Sequence, residues 1–146
     1  MGHTVENGVE LARRGEHPGF ICRMPSGWAV LADMQYLRGY AILLADPVVS
    51  SLNDLDKEQR AIFLLDMAAI GDALMQVTGA YRINYAVMGN SDPNLHAHIV
   101  PRFSDEPEVY LHDQPWSYPR EITMGRKFDE GRDRELIQQL KKVITG

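Results

Sequence analysis

Hydrophobic positions recur along this chain with two periods, and the change from one to the other predicts its elements. Val5, Val9 and Leu11 stand among polar neighbours between residues 4 and 14, which predicts a short helix ending near Gly15. His17-Pro18-Gly19 breaks it. Three short apolar segments follow, Phe20 to Arg23, Trp28 to Asp33 and Tyr40 to Asp46, separated by the turn signals Pro25-Ser26-Gly27 and Arg38-Gly39. Such close spacing predicts antiparallel strands, because parallel neighbours need a crossover of about a dozen residues.

The strongest helical pattern runs from Lys57 to Thr78, opened by Asp56-Lys57-Glu58-Gln59 in the form of a capping box and closed by Gly79. Ile62, Leu65, Ala69, Ala73 and Val77 define its expected apolar stripe, with Asp66 and Asp72 turned elsewhere. Between Ala80 and Met88 the period falls to two, with Tyr81, Ile83, Tyr85 and Val87 alternating against Arg82 and Asn84, as in a strand. Residues 88 to 93 read as a loop, and Asn94 to Phe103 as the next strand. Beyond Ser104 the tail is irregular, spaced by Pro107, Pro115 and Pro119, until Asp129 to Thr145 offers a final amphipathic helix. The expectation is one α+β domain over residues 1–146, its helices packed on a mainly antiparallel sheet.

Composition changes this picture little. With 45% hydrophobic and 24% charged residues among 146, the chain has an ordinary globular mix and enough length for one core. No apolar run is expected to reach the roughly 20 residues that cross a bilayer, and the start MGHTVENGVELARR lacks a signal-peptide core, so the expected location is cytoplasmic, away from membranes. Gly2 does not open a myristoylation motif, because Glu6 stands where Ser or Thr is required. The lone Cys22 sits in an apolar stretch and is assigned to the core. A net charge of −5 argues against holding long nucleic acid, which requires an excess of Lys and Arg, but leaves room for a small phosphate-bearing ligand.

The chemistry concentrates in Asn94-Leu95-His96-Ala97-His98-Ile99-Val100-Pro101-Arg102. On a strand, Asn94, His96, His98 and Val100 share one face while Leu95, Ala97 and Ile99 take the other and can pack under the long helix. Two imidazoles so aligned admit three readings. A neutral imidazole can attack phosphorus and form a covalent phosphoramidate while a second, protonated one donates to the charged oxygens. A His-x-His pair can instead be half of a metal site, with His112, Asp113 or Asp105-Glu106 as the other half. Or both rings can be structural.

The same segment resembles the histidine triad (HIT) superfamily, whose signature is His-x-His-x-His followed by apolar residues and, in one branch, Pro-Arg. Pro101-Arg102 sets the register and brings His96 to the middle, nucleophilic position. The order of strands, Arg38-Gly39 turn, long helix and motif strand is similar over residues 20 to 103, with 104–146 as tail and final helix, and is nearest the branch that includes diadenosine polyphosphate hydrolases. The resemblance implies a homodimer, a small nucleotide whose α-phosphate lies beside His96, and a nucleotidyl-histidine intermediate resolved by water or another acceptor. It implies cleavage of a phosphoanhydride or phosphoramidate with His98 stabilising phosphate or leaving group, without a required cofactor; Mg²⁺ is expected only in company with a polyphosphate substrate.

Two positions depart from that pattern: Asn94 replaces the first histidine and Tyr40, after Gly39, replaces a supporting one. Asn94 can hydrogen-bond but cannot carry a proton through the cycle. These changes keep open a nucleotide-binding or sensor protein with weakened catalysis. The resemblance also assigns Gly89, Asn90 and Ser91 to phosphate contacts and Asp33 to the ribose. Arg102 is a candidate phosphate ligand, and His112 is the tail residue expected to enter the site. Trp28 and Trp116 read as packing residues that could stack on a base, while His3 and His17 receive no role.

Overall fold

The computed structural model describes residues 4–146; the expectations for Gly2 and His3 lie outside them. Five strands form one antiparallel sheet: β1 (Phe20–Met24), β2 (Gly27–Leu31), β3 (Ala41–Ala45), β4 (Arg82–Ala86) and β5 (His96–Arg102). Their order is β1-β2-β3-β5-β4, which puts the motif strand β5 inside the sheet and β4 at its edge. The helices are α1 (Val5–Arg13), α2 (Lys57–Thr78), the single turns α3 (Glu108–Leu111) and α4 (Arg120–Thr123), and α5 (Glu130–Thr145).

One face of the sheet carries the main core, where Leu43, Leu95, Ala97 and Ile99 meet Phe63, Ile70 and Leu74 of α2 and Leu136 and Leu140 of α5. Full burial of one such aliphatic side chain stabilises the fold by about 1.5–3 kcal/mol. Cys22 is buried in this core, and burial pushes its thiol up to about 11. The apolar half of the motif strand therefore does what its alternation predicts. It also fixes the other half, including both imidazoles, on the opposite open face.

α2 begins and ends where its capping signals predict, with the Asp56 carboxylate accepting the Gln59 N–H at 2.8 Å and Gly79 closing the helix at φ +78°. The stripe differs. Leu65 is 69% exposed, while Phe63, Asp66, Ile70, Ala73 and Leu74 face inward. Asp66 is buried because its carboxylate accepts the Ser26 N–H at 2.8 Å and the Ser26 hydroxyl at 2.6 Å, tying the β1–β2 turn to the helix. A purely apolar template could not anticipate a carboxylate whose partner lies 40 positions away. α2 is also long and apolar enough, by length and composition alone, to cross a membrane, contrary to the expectation from sequence, but its inward side packs on the sheet. Gly71 permits that approach, since a Cβ there would meet the Tyr85 hydroxyl at 2.0 Å.

On the open face α1 lies across β2 and β3, with Val5 and Val9 against Val30 and Leu44. Ala12 rather than Leu11 completes its buried side. β2 ends before Asp33 because the chain there leaves the sheet to pair with the tail: Gln35 donates to the Arg126 carbonyl and Phe128 to the Asp33 carbonyl, both at 2.7 Å.

Candidate active site

His96 and His98 stand on the open face of β5 opposite Leu44 and Ile42 of β3, their ring centroids 4.9 Å apart and edge to face. β5 begins at His96, so Asn94 lies just before the strand, where its own N–H is tied to Asp92 Oδ1 at 3.2 Å. This places the Asn94 carbonyl oxygen 2.7 Å from His96 Nδ1. A carbonyl can only accept, so Nδ1 carries the hydrogen, and in the neutral ring Nε2 holds an unshared pair. Asn94 thus contributes its backbone oxygen, a group every residue type supplies, and the replacement of a histidine there leaves the orientation of the His96 ring intact.

His98 is held differently. Its Nδ1 lies 2.7 Å from the Tyr40 hydroxyl, and the Trp116 ring stands edge-on to it at 5.3 Å between centroids. Burial, followed by the neighbouring His96 charge, lowers its pKa from 6.5 to about 4. At neutral pH the ring is therefore uncharged, which revises the expectation of a protonated partner. Burial also pushes the Tyr40 phenol upward, with a Trp116 hydrogen bond acting in the opposite direction. We assign the Tyr40 O–H to His98 Nδ1, since the phenol has a hydrogen to give and the neutral imidazole a lone pair to receive it. His98 is left with an Nε2–H, a neutral donor suited to phosphate oxygens.

Three hollows lie around this pair, one of them lined by His96 itself. One of about 140 Å³ is lined by His96, Asn94 and Gly89 together with Ser50, Ser51 and Asn53. Gly89 takes φ +92°, a conformation that favours glycine. Asn90 and Ser91 are exposed in the same loop. Asp92 clamps that loop to α1 by accepting the Val5 N–H at 2.7 Å. A second hollow, about 70 Å³, contains Asp33 between α1 and the sheet, beside Ile42 and Leu44, the cross-strand neighbours of the two histidines. Asp33 therefore lies on the side of the sheet that carries the two histidines. His17, which received no role, is buried at the same hollow, its Nδ1 accepting the Gly19 N–H at 3.0 Å. The third, about 630 Å³, runs along β4 and is bounded by Asn84, Ala86, Arg102 and Trp116.

Arg102 is not a phosphate ligand. It is 3% exposed, and its guanidinium donates to Glu106, to Asn84 Oδ1 and to the backbone oxygens of Tyr110 and Asp113, which occupies its N–H groups. Burial would raise the Glu106 carboxyl, but bonds from Arg102, Tyr118 and the Phe103 N–H outweigh it and hold it below the ordinary value. The consequence for the site is indirect: by gripping residues 110 and 113, Arg102 brings the following turn, Pro115–Ser117, to where Trp116 meets His98. His112 lines the third hollow beside Gln114 and Trp116. Its side chain is 77% exposed and pairs with Glu108 at 3.4 Å, one turn earlier. The tail enters the site through Trp116, whose neighbouring prolines signalled only a loop. Trp28 is a packing residue, its Nε1 donating to Asp46 at 2.8 Å.

For a metal, the missing half does not assemble: Glu106 is committed to Arg102. Among the described residues no group of three or more His, Cys, Asp and Glu side chains is placed to hold an ion.

Comparison with solved structures bears on the whole arrangement. A histidine triad protein from Sinorhizobium meliloti superposes with a TM-score of 0.72 over 89% of this chain and 93% of its own, at 19% identity. One from Bradyrhizobium japonicum gives 0.66 over 86% and 89%, at 23% identity. The chain has the histidine triad fold. A diadenosine triphosphate hydrolase from Plasmodium falciparum shares that fold at a TM-score of 0.62 and 16% identity, over 88% of this chain and 77% of its own. No family model matches the sequence, and no curated protein does. On the histidine triad fold the motif strand, the long helix beneath it and the open face above it stand as the sequence pattern implies.

Proposed function

We propose that this protein is a nucleotide hydrolase or transferase that cleaves a phosphoanhydride or phosphoramidate at a nucleotide α-phosphate through a nucleotidyl-His96 intermediate. The observation that carries this reading is the 2.7 Å bond from His96 Nδ1 to the Asn94 carbonyl, which leaves Nε2 as a nucleophile on the open face. The neutral His98 Nε2–H supplies a donor to the phosphate oxygens, where charge accumulates in the transition state. Asp33, in the hollow beneath α1, is the residue assigned to the ribose in this reading. The covalent step needs no cofactor, and Mg²⁺ would serve only to neutralise a polyphosphate substrate.

Asn94 favours a second reading, a nucleotide sensor, because an amide at that position cannot shuttle a proton. A single-turnover experiment with labelled diadenosine polyphosphate separates the two. A covalent adduct that His96→Ala abolishes supports the enzyme; tight binding with neither adduct nor product supports the sensor. A homodimer is part of the same proposal, supported by the unpaired edge of β4 and by exposed Leu64, Leu65, Met75, Tyr81 and Tyr85 on α2 and around β4.

A further inference from the structure

We infer that this site, if it transfers nucleotides through His96 as proposed above, acts on phosphoanhydrides and discriminates against phosphoramidates, because among the described residues Asn94 and the Tyr40–His98 bond leave the departing group without a proton donor. The two substrate classes differ in what must leave. In an anhydride the P–O bond breaks and the electron pair departs on a terminal phosphate, which is stable as an anion because its second ionisation lies near pH ~6. In a phosphoramidate the pair departs on nitrogen. An alkylamine holds its proton to about pH 10, as a lysine does, so its nitrogen must be protonated before or during departure.

The residues around His96 are arranged for the first case. His96 Nδ1–H is held by the Asn94 carbonyl at 2.7 Å, so the ring forms its N–P bond with Nε2 and keeps its other hydrogen. With the Tyr40 hydroxyl assigned as donor to His98 Nδ1, 2.7 Å away, the ring offers Nε2–H as a neutral imidazole, which can donate a hydrogen bond but is far weaker as an acid than an imidazolium. Tyr40 is buried, so the phenolate left by passing its proton onward would be costly. The Asn94 side chain has no proton to transfer. Asp92 accepts backbone N–H bonds with both carboxylate oxygens, from Val5 and Asn94. Burial of His98 beneath Trp116 works in the same direction, keeping the ring uncharged at neutral pH.

The cycle then balances without an internal acid. Nε2 of His96 attacks phosphorus and the leaving phosphate takes the P–O electron pair. Water attacks the nucleotidyl-histidine, the P–N pair returns to Nε2, and the water proton passes to solvent. A transferable general-acid proton is worth about 10²–10⁴-fold in rate, which sets the size of the expected discrimination.

The test compares single-turnover rates at saturating substrate for diadenosine tetraphosphate and adenosine 5′-phosphoramidate, so that differences in binding do not enter. An anhydride rate at least about a hundredfold higher is expected, the lower bound of general-acid assistance. Aryl esters of AMP give an independent reading, since without a proton donor the rate must fall steeply from nitrophenol to phenol as leaving group. Equal rates, or a faster phosphoramidate, with a His96 adduct formed from both, would overturn this inference while leaving the nucleophile in place. Absence of turnover and of adduct with either substrate would instead overturn the reading of His96 itself, and this inference with it.

Discussion

The Tyr40 hydroxyl and His98 Nδ1 are 2.7 Å apart although 58 positions separate them in the chain. That contact occupies the place of a histidine in the resemblance from sequence, and it decides which nitrogen of His98 faces the open side. Tyr40→Phe should therefore free Nδ1 and let the tautomer equilibrate. We expect a loss of about 1–2 kcal/mol in transition-state stabilisation, in the range of an unmade buried hydrogen bond, or about tenfold in kcat. The check is ¹⁵N NMR of the His98 ring alongside kcat, with Tyr40→His restoring part of both.

His96→Ala removes the proposed attacking atom. Turnover should fall by at least about a thousandfold with the fold intact, measured as nucleotide release and by circular dichroism. A variant with near-normal turnover would exclude covalent catalysis by this residue.

His98 should make folding stability depend on pH. Its pKa is 6.5 when unperturbed and about 4 in the fold, so between these values the unfolded chain binds a proton that the folded chain refuses. Stability is then full above about pH 6.5 and declines as pH falls toward 4. His98→Asn should flatten that part of the thermal-stability profile; an unchanged profile would show that another group titrates there.

Arg102→Met should leave Glu106 buried without its cation. Loss of one partner of such a pair costs about 3–5 kcal/mol, seen as a lower denaturation midpoint. Because Arg102 also holds the tail at Tyr110 and Asp113, Trp116 fluorescence should shift toward that of an exposed indole. A variant that loses stability without this shift would show that the tail is anchored elsewhere.

The proposed homodimer predicts that Leu65→Glu, at a position 69% exposed, halves the mass measured by sedimentation without lowering monomer stability. A wild-type chain that sediments as a monomer would remove the dimer from the proposal.

By itself the sequence determined the boundaries of α2, the antiparallel strands, and the division of β5 into an apolar face and a histidine face, because periodicity, capping and short turns act over a few residues. It also singled out His96, through the motif and the Pro101-Arg102 register. Only the tertiary structure decided that Asp66 faces inward to Ser26, that Arg102 is consumed by Glu106 and the tail, and that Trp116, not His112, reaches His98. It likewise decided that Asn94 acts through its carbonyl. Buried polar groups must find partners wherever the fold brings a complementary atom, and that choice spans distances along the chain that local patterns do not record.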